Sequence, residues 1–451
     1  MFRKVLVANR GAVARRVIHA LRALGVRSVA VFSEADAGAP YLEEADEALL
    51  IGGPKPADSY LHVPRLLKAA ADTRADAVHP GYGVLAESAE FARAVEAAGM
   101  RFIGPSPRWL DAMGHKTRAR ALMTQHGLPS GLGSEVLHDD AAFLAAAAQL
   151  GYPVLVKPAE GGGGIGMLAA RSPDELLQAL AQGRSLAARA FGSDELYLER
   201  LVTQPRHIEF QVLADASGAR HLFERDCSIQ RRHQKVVEES PAPGLPRAEL
   251  EALAATVAAA MGGLGYDNIG TVEMLRAPDG TFGFLEVNTR LQVEHGVTEM
   301  VTGVDIVATQ IRLAAGESLA AILPADPVLL GHAIEARVYA EDPKRFLPSP
   351  GVLALYRPPT ADGVRVDTGY GEGQRVTPFY DPMLAKVLVR ADDRAGAIAA
   401  LDAALGAFAI EGVRHNIPAL RALLADERFQ RGDVHTGLLG EVVAGAGTAG
   451  H

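Results

Sequence analysis

The stretch Val154-Leu155-Val156-Lys157-Pro158-Ala159-Glu160-Gly161-Gly162-Gly163-Gly164-Ile165-Gly166-Met167-Leu168-Ala169-Ala170 decides how the chain is read. An apolar run at 153–157 and a second at 167–170 read as strands, so the glycines join strand to strand. Consecutive glycines let backbone N–H groups converge on a phosphate that side chains would hold away. A dinucleotide fingerprint or a Walker loop would run from strand to helix, and the Walker motif also needs Gly-Lys, a pair absent from the sequence. Glycine content alone describes a flexible hairpin tip. Lys157, just before the loop, shifts the reading toward phosphate, because only eight of the 45 basic residues are lysines.

Around this loop the chain divides into distinct patterns. Its 451 residues exceed what one core usually holds, so several domains are expected. Strands at 5–8, 28–32, 77–79 and 101–103 alternate with helices at 12–24 and 87–98, which implies a parallel sheet covered on both faces. A helix at 107–126 carries Lys116. A small α+β unit follows, with helices at 140–149 and 173–190 and strands at 153–157, 167–170 and 195–199. Longer alternating strands at 206–213, 220–225, 270–275, 282–294 and 332–340 read as antiparallel sheet, interrupted by a helix at 247–262. The tail at 394–442 reads as helical, ending in a frayed Gly/Ala stretch.

Composition narrows the function classes. The net charge of −9 disfavours nonspecific nucleic-acid binding. No apolar run reaches the roughly 20 residues of a membrane span, and the N-terminus lacks a signal-peptide core. A single cysteine, Cys227, leaves no partner for an internal disulfide and suits a reducing, cytoplasmic setting.

The second informative stretch is Phe284 to His295. On a continuous strand, Glu286, Asn288, Arg290, Gln292 and Glu294 would share one face, opposite Leu285, Val287, Leu291 and Val293. Glutamate and asparagine are poor strand formers, so a row of such groups reads as a built site rather than a solvated edge. A hairpin through Pro278-Asp279-Gly280 would bring Glu273 beside Glu286. Two carboxylates and an amide oxygen are hard ligands suited to Mg²⁺. Glu224 to Lys235 reads either as a charged surface loop or as an anion-facing arm ending in Lys235. His207, Glu209 and Gln211 share a strand face, as do Glu335, Arg337 and Tyr339. Cys227 reads as a small packing residue. His79-Pro80-Gly81-Tyr82-Gly83 forms a turn at a sheet's carboxyl edge, where ligands sit.

Together these segments resemble the biotin carboxylase family of the ATP-grasp superfamily. The most specific match is Arg231-Arg232-His233-Gln234-Lys235 with Asn288 to His295. Ala8-Asn9-Arg10-Gly11, the turn at 79–83, Phe346 to Gly351 and Tyr380-Asp381-Pro382-Met383 extend it over nearly the whole chain. The resemblance implies an α/β fold, α+β in part: a Rossmann-like N-terminal domain at 1–112, an ATP-grasp domain at 113–316 with a mobile lid at about 131–203, and a C-terminal antiparallel-sheet domain at 331–440.

It also implies chemistry. Bicarbonate attacks the γ-phosphate of ATP, carboxyphosphate yields CO₂ and phosphate, and the biotin enolate attacks CO₂. Residues matching Lys116, Lys157, Gly162, Gly163, Gly164, Glu199, Arg200, Val202, His207, Gln230 and His233 bind nucleotide in the family. Those matching Glu273, Glu286 and Asn288 hold two Mg²⁺ ions, for which Mn²⁺ can substitute. Lys235, Arg290, Gln292 and Val293 match the bicarbonate pocket, and Glu294 the general base. Arg337 matches the group that stabilises the biotin enolate, with Tyr82 beside the biotin. Ile165 departs from the basic residue common in the loop, His115 from an acidic residue and Gly296 from a proline.

No Met-Lys pair occurs, so the family's biotin-accepting Met-Lys-Met is absent. Biotin is expected on a separate carrier protein or domain, with carboxyltransferase subunits completing an acyl-CoA carboxylase of the acetyl-CoA type. The family is commonly homodimeric. Two other readings stand beside this one: an ATP-grasp ligase acting through a different acyl phosphate, and a nucleotide-binding regulatory subunit without activity.

Overall fold

The computed structural model describes residues 1–130, 133–159 and 166–446. The glycines at 161–164 and Ile165 lie outside the described residues. Strands β1 (Lys4–Val7), β2 (Arg27–Ser33), β3 (Glu47–Gly52), β4 (Ala77–His79) and β5 (Arg101–Phe102) form the expected parallel sheet, in the order β3-β2-β1-β4-β5. Alternation along β1 sends Val5 and Val7 into one core and Leu6 into another, as a sheet covered on both faces requires.

The α+β unit is a three-stranded sheet of β6 (Val154–Pro158), β7 (Leu168–Ala170) and β8 (Leu196–Arg200), ordered β7-β6-β8. The helix Pro173–Phe191 packs Leu176 and Leu180 against Val154, Val156, Leu196 and Leu198. The helix expected at 107–126 is broken. His115 is extended between Pro107–Gly114 and Lys116–Gln125, which places Lys116 at a helix start.

An eight-stranded antiparallel sheet forms the rest of the body. Its strands are β9 (Arg206–Asp215), β10 (Gly218–Arg231), β11 (Gln234–Ser240), β12 (Asn268–Arg276), β13 (Phe282–Asn288) and β14 (His332–Tyr339). Further on come β15 (Gly351–Val352), β16 (Leu355–Arg357), β17 (Val364–Thr368), β18 (Arg375–Val376), β19 (Met383–Ala391) and β20 (Ala409–Glu411), of which β17 and β19 complete the large sheet. The order is β13-β12-β9-β10-β11-β14-β19-β17.

On β9, Ile208, Phe210 and Val212 pack under the helix Arg247–Leu264, each side chain worth about 1.5–3 kcal/mol on burial. The opposite, polar face of β9 is where the site is built. On β14, Ile334, Ala336 and Val338 enter the core formed with helices Arg394–Ala407 and Ile417–Ala425. The tail is thus helical except for β20, which pairs with β16.

One expectation is corrected and one choice narrowed. The strand expected at 282–294 ends at Asn288, and Arg290 to Glu294 form a turn into the helix His295–Thr302. Of the two readings left open for Glu224–Lys235, the surface loop is excluded. Most of the segment is β10, with Glu224, Arg225 and Ser228 fully buried, and only its tip is exposed.

Candidate active site

Register builds the site. Glu273 on β12 lies between Glu209 on β9 and Glu286 on β13, and Thr271 faces Asn288. The hairpin expected at 278–280 forms as expected, closed by Ala277 N–H donating to the Thr281 carbonyl at 2.8 Å. Beyond Asn288 the chain turns back over the sheet, and this turn brings Gln292 and Glu294 onto the same cluster. A straight strand would have carried them away, at about 3.3 Å per residue.

The β10–β11 hairpin delivers Lys235. Arg231 faces Gln234 across a two-residue turn whose members, Arg232 and His233, have φ of +48° and +64°. Tight hairpins require positive φ at both central positions, a conformation L-residues adopt at a cost, and such strain gathers at functional sites. Arg231 anchors the turn, pairing with Glu341 at 2.6 Å and stacking on Tyr339.

Lys235 is the hub. Its Nζ donates to Glu209 at 2.5 Å, Glu273 at 2.7 Å and Glu294 at 2.7 Å. Burial opposes the charge of Lys235, but these carboxylates hold it well above the usual range. Burial likewise pushes the Glu294 carboxyl up. Lys235, Arg337 and Arg225 outweigh it and keep Glu294 well below the ordinary carboxylate range. Glu294 therefore stays ionised although it is almost fully buried. Arg337 Nη2 donates to its second oxygen at 2.9 Å.

Glu273 is also held ionised against burial, by Lys235 and by His207, whose Nε2 lies 2.9 Å away. Asn288 and Gln292 donate to Glu273 at 2.7 Å and 3.0 Å. Glu286 is more open, with Lys116 Nζ at 3.7 Å. Ionised Glu273, accessible Glu286 and the Asn288 amide form an all-oxygen donor set that fits Mg²⁺. Arg290 bridges Glu87, Gln292 and Asn288 at 2.8–2.9 Å.

Lys235, Glu273, Glu286, Arg290, Glu294 and Arg337 line a cavity of about 540 Å³. Every described residue expected to bind nucleotide, metal or bicarbonate borders it, including Lys157, Glu199, Arg200, Val202, Gln230 and His233. Lys157 is buried and donates to Glu199 at 2.8 Å. Gln230 donates to the Cys227 carbonyl at 3.0 Å and lies 3.2 Å from His207 Nδ1, fixing that ring. Tyr82 is not on this cavity. It borders a second one of about 410 Å³, whose wall of Arg290, Val293 and Arg337 is shared with the first. The second cavity sits where a loop meets the start of the helix Gly11–Ala23, an approach so close that a Cβ on Gly369 would lie 2.3 Å from Gly11 Cα.

Three supporting groups were given no role from the sequence. Arg225 is fully buried and donates to Glu209 at 2.6 Å and to Gln211 at 2.9 Å. Glu87 holds Arg290, and Lys386 donates to the Val293 carbonyl at 2.6 Å. The scarcity of lysine was the one available signal for Lys386. His115 is buried, 3.3 Å from Glu195, and Gly296 lies in the first turn of its helix.

A small three-stranded sheet that lends Lys157 and Glu199 to a nucleotide-sized cavity, whose other wall is an antiparallel sheet carrying carboxylates and cations, is the arrangement of an ATP-grasp ligase. The comparisons narrow this class. The biotin carboxylase N-terminal domain matches residues 1–110, the carbamoyl-phosphate synthase L chain ATP-binding domain 115–322, and the biotin carboxylase C-terminal domain 335–441. A biotin carboxylase of Halalkalibacterium halodurans is 48% identical over 438 residues, covering 97% of both chains. The structure of a Campylobacter jejuni biotin carboxylase complex superposes with a TM-score of 0.95 at 38% identity, covering 98% of this chain and 99% of that one. The biotin carboxylase domain dimer of Hydrogenobacter thermophilus 2-oxoglutarate carboxylase, solved with MgADP, ADP and bicarbonate, gives 0.94 at 42% identity over the same shares. The chain belongs to the biotin carboxylase family.

Proposed function

We propose that the protein catalyses ATP-dependent carboxylation of biotin by bicarbonate, with the biotin presented on a carrier protein or domain. The observation that carries this is the convergence of Lys235 and Arg337 on an ionised Glu294 at 2.7 and 2.9 Å. Bicarbonate is an anion that must lose a proton as it attacks phosphorus. Lys235, Arg290 and Gln292 offer it donors, and Glu294 supplies the base beside them. Lys116, Lys157 and His207 face the nucleotide, with residues 199–202 at the adenine and Gln230 and His233 beside it. Glu273, Glu286 and Asn288 would hold Mg²⁺, which neutralises the charge developing on the phosphates.

Carboxyphosphate then yields CO₂ and phosphate, phosphate takes the biotin N1′ proton, and the enolate attacks CO₂. Arg337 serves the enolate oxygen from the wall shared by the two cavities, with Tyr82 on the biotin side. We read residues 1–112, 113–316 and 331–440 as three domains, with 131–203 as a lid. We assign the chain to an acyl-CoA carboxylase of the acetyl-CoA type, as a homodimer working with carboxyltransferase subunits. The cytoplasm suits its unpaired, buried Cys227. No described helix is long and apolar enough to cross a membrane.

The test is bicarbonate-dependent ATP cleavage stimulated by free biotin. Replacing Glu294 by Gln should lower turnover by about 10²–10⁴-fold with ATP affinity retained. ATP cleavage without a bicarbonate requirement would instead indicate a ligase for another carboxylate. Unchanged activity in E294Q would remove Glu294 from the chemistry.

A further inference from the structure

Behind the site, β11 and β14 place two carboxyl groups directly opposite each other. Glu238 faces Glu335 in register, and both side chains are fully buried. Like charges across a strand pair destabilise a sheet, and an unpaired buried carboxylate costs more still. The cations at hand are Arg337, whose Nη2 lies 2.6 Å from Glu238, and Lys386, whose Nζ lies 3.5 Å from Glu335. Yet neither oxygen of Glu238 accepts an aligned hydrogen bond among the described residues, and Nε of Arg337 has no partner either. Guanidinium and carboxyl touch at 2.6 Å without an aligned hydrogen bond, which leaves both with capacity for a closer pairing.

The same Nη2 is shared with Glu294 at 2.9 Å. On the reading above, Glu294 takes the bicarbonate proton and becomes neutral. A neutral carboxyl holds a guanidinium far less strongly than a carboxylate does. Arg337 is needed next, at the biotin enolate. Glu294 is also one of the groups that disfavour ionisation of Glu238. Burial chiefly, with Arg337 opposing and Glu335 and Glu294 adding, brings Glu238 to about 8. Neutralising Glu294 relieves part of that repulsion and favours the Glu238 carboxylate at the moment its rival lets go.

We propose that Glu238 is a positioning residue for Arg337, holding the guanidinium at the wall between the two cavities while Glu294 carries the bicarbonate proton. It acts through Arg337 and touches no substrate. The proposal rests on the roles assigned above to Glu294 and Arg337.

The test compares E238Q with the unaltered enzyme by the ratio of biotin-stimulated to biotin-independent ATP cleavage, both in bicarbonate. The ratio should fall about tenfold, because Arg337 meets substrate only in the biotin step, while its support of Glu294 enters both cleavages alike. An unchanged ratio overturns the proposal, whether total activity is retained or falls in parallel. If E238Q does not fold, E238D keeps a carboxyl but draws it back by one methylene, and the same split is expected. R337A in the same assay separates the two levels. If R337A keeps the ratio, the role of Arg337 fails; if R337A loses it and the Glu238 variants do not, only the present proposal fails.

Discussion

Replacing Lys386 by Met tests whether the turn carrying Glu294 is held from behind. Lys386 is 1% exposed. Its Nζ donates to the Val293 carbonyl at 2.6 Å and lies 3.3 Å from Asp367 and 3.5 Å from Glu335. Removing one partner of a buried charge pair costs about 3–5 kcal/mol. Two features move the value to the low end. Asp367 keeps Arg365 at 2.8 Å. Glu335, already brought to about 7 by burial against the pull of Lys386 and Arg337, can take up a proton rather than stand as a bare anion. A loss of about 3 kcal/mol lowers a melting midpoint by about 6–12 °C if the cooperative unit is 150–250 residues. Val293 and Gln292 flank the base, so a loosened turn should also raise the KM for bicarbonate by about fivefold or more, with the KM for ATP nearly constant. Scanning fluorimetry without ligands and a bicarbonate titration at saturating ATP read the two effects. A midpoint within about 2 °C of the unaltered protein, with bicarbonate KM unchanged, would refute the bracing role.

Three further outcomes are expected. Glu335 has a folded pKa above its unfolded value, so the native state binds the extra proton and its contribution to stability falls as pH rises from about 4.3 to about 7. E335Q should therefore gain on the unaltered protein over that interval and hold a constant difference above it, seen in melting midpoints at pH 5.5, 7 and 8.5; a difference independent of pH would contradict the assignment. Gly296 has no room for a Cβ, which would meet Leu388 Cδ2 at 2.3 Å, although the first helical turn tolerates proline backbone. G296P should cost about 1–3 kcal/mol, and adding L388V should recover much of it by urea denaturation; additive losses would point elsewhere. Cys227 is fully buried, and its thiol is pushed well up by burial and by Glu209 against the pull of Lys235. Iodoacetamide should therefore label the native protein only on unfolding, and rapid native labelling would contradict that burial.

Much of this architecture was legible because two periodicities dominate it. Alternating strands and helices signalled the parallel sheet, and polar–apolar alternation placed His207, Glu209, Glu335 and Arg337 on faces the structure confirms. Period-two reasoning failed at Phe284–His295, where the pattern continues past Asn288 but the strand does not. Residues in a turn can keep alternating polarity because Leu291 is buried on one side while Arg290 and Gln292 meet Glu273 and its neighbours on the other. Glu224–Lys235 stayed open between a surface loop and an anion-facing arm. Composition could not decide, because sequence cannot show that Arg225 meets Glu209, or that Arg231 meets Glu341, 110 residues away. The short strands β15 to β18 left no signal, since pieces of two to five residues carry too few positions for a period.

The charge of the site follows a different logic from the net −9 of the chain. Lys235 is held by Glu209, Glu273 and Glu294, Arg290 by Glu87, Arg337 by Glu238 and Glu294, and Lys157 by Glu199. Every one of these assigned cations is thus already engaged. Long side chains that would otherwise wander are fixed near their working positions, so less ordering entropy remains to be lost when anions arrive. On the proposed assignments, bicarbonate and nucleotide would then exchange with protein carboxylates for donors that are already aimed. Such an exchange would cost little electrostatically if a divalent ion took over the carboxylates the cations release, and Glu273, bonded to Lys235 and lying beside Glu286 and Asn288, is placed for that role. On that proposal the acidic groups of this site are as much a part of anion recognition as its lysines and arginines.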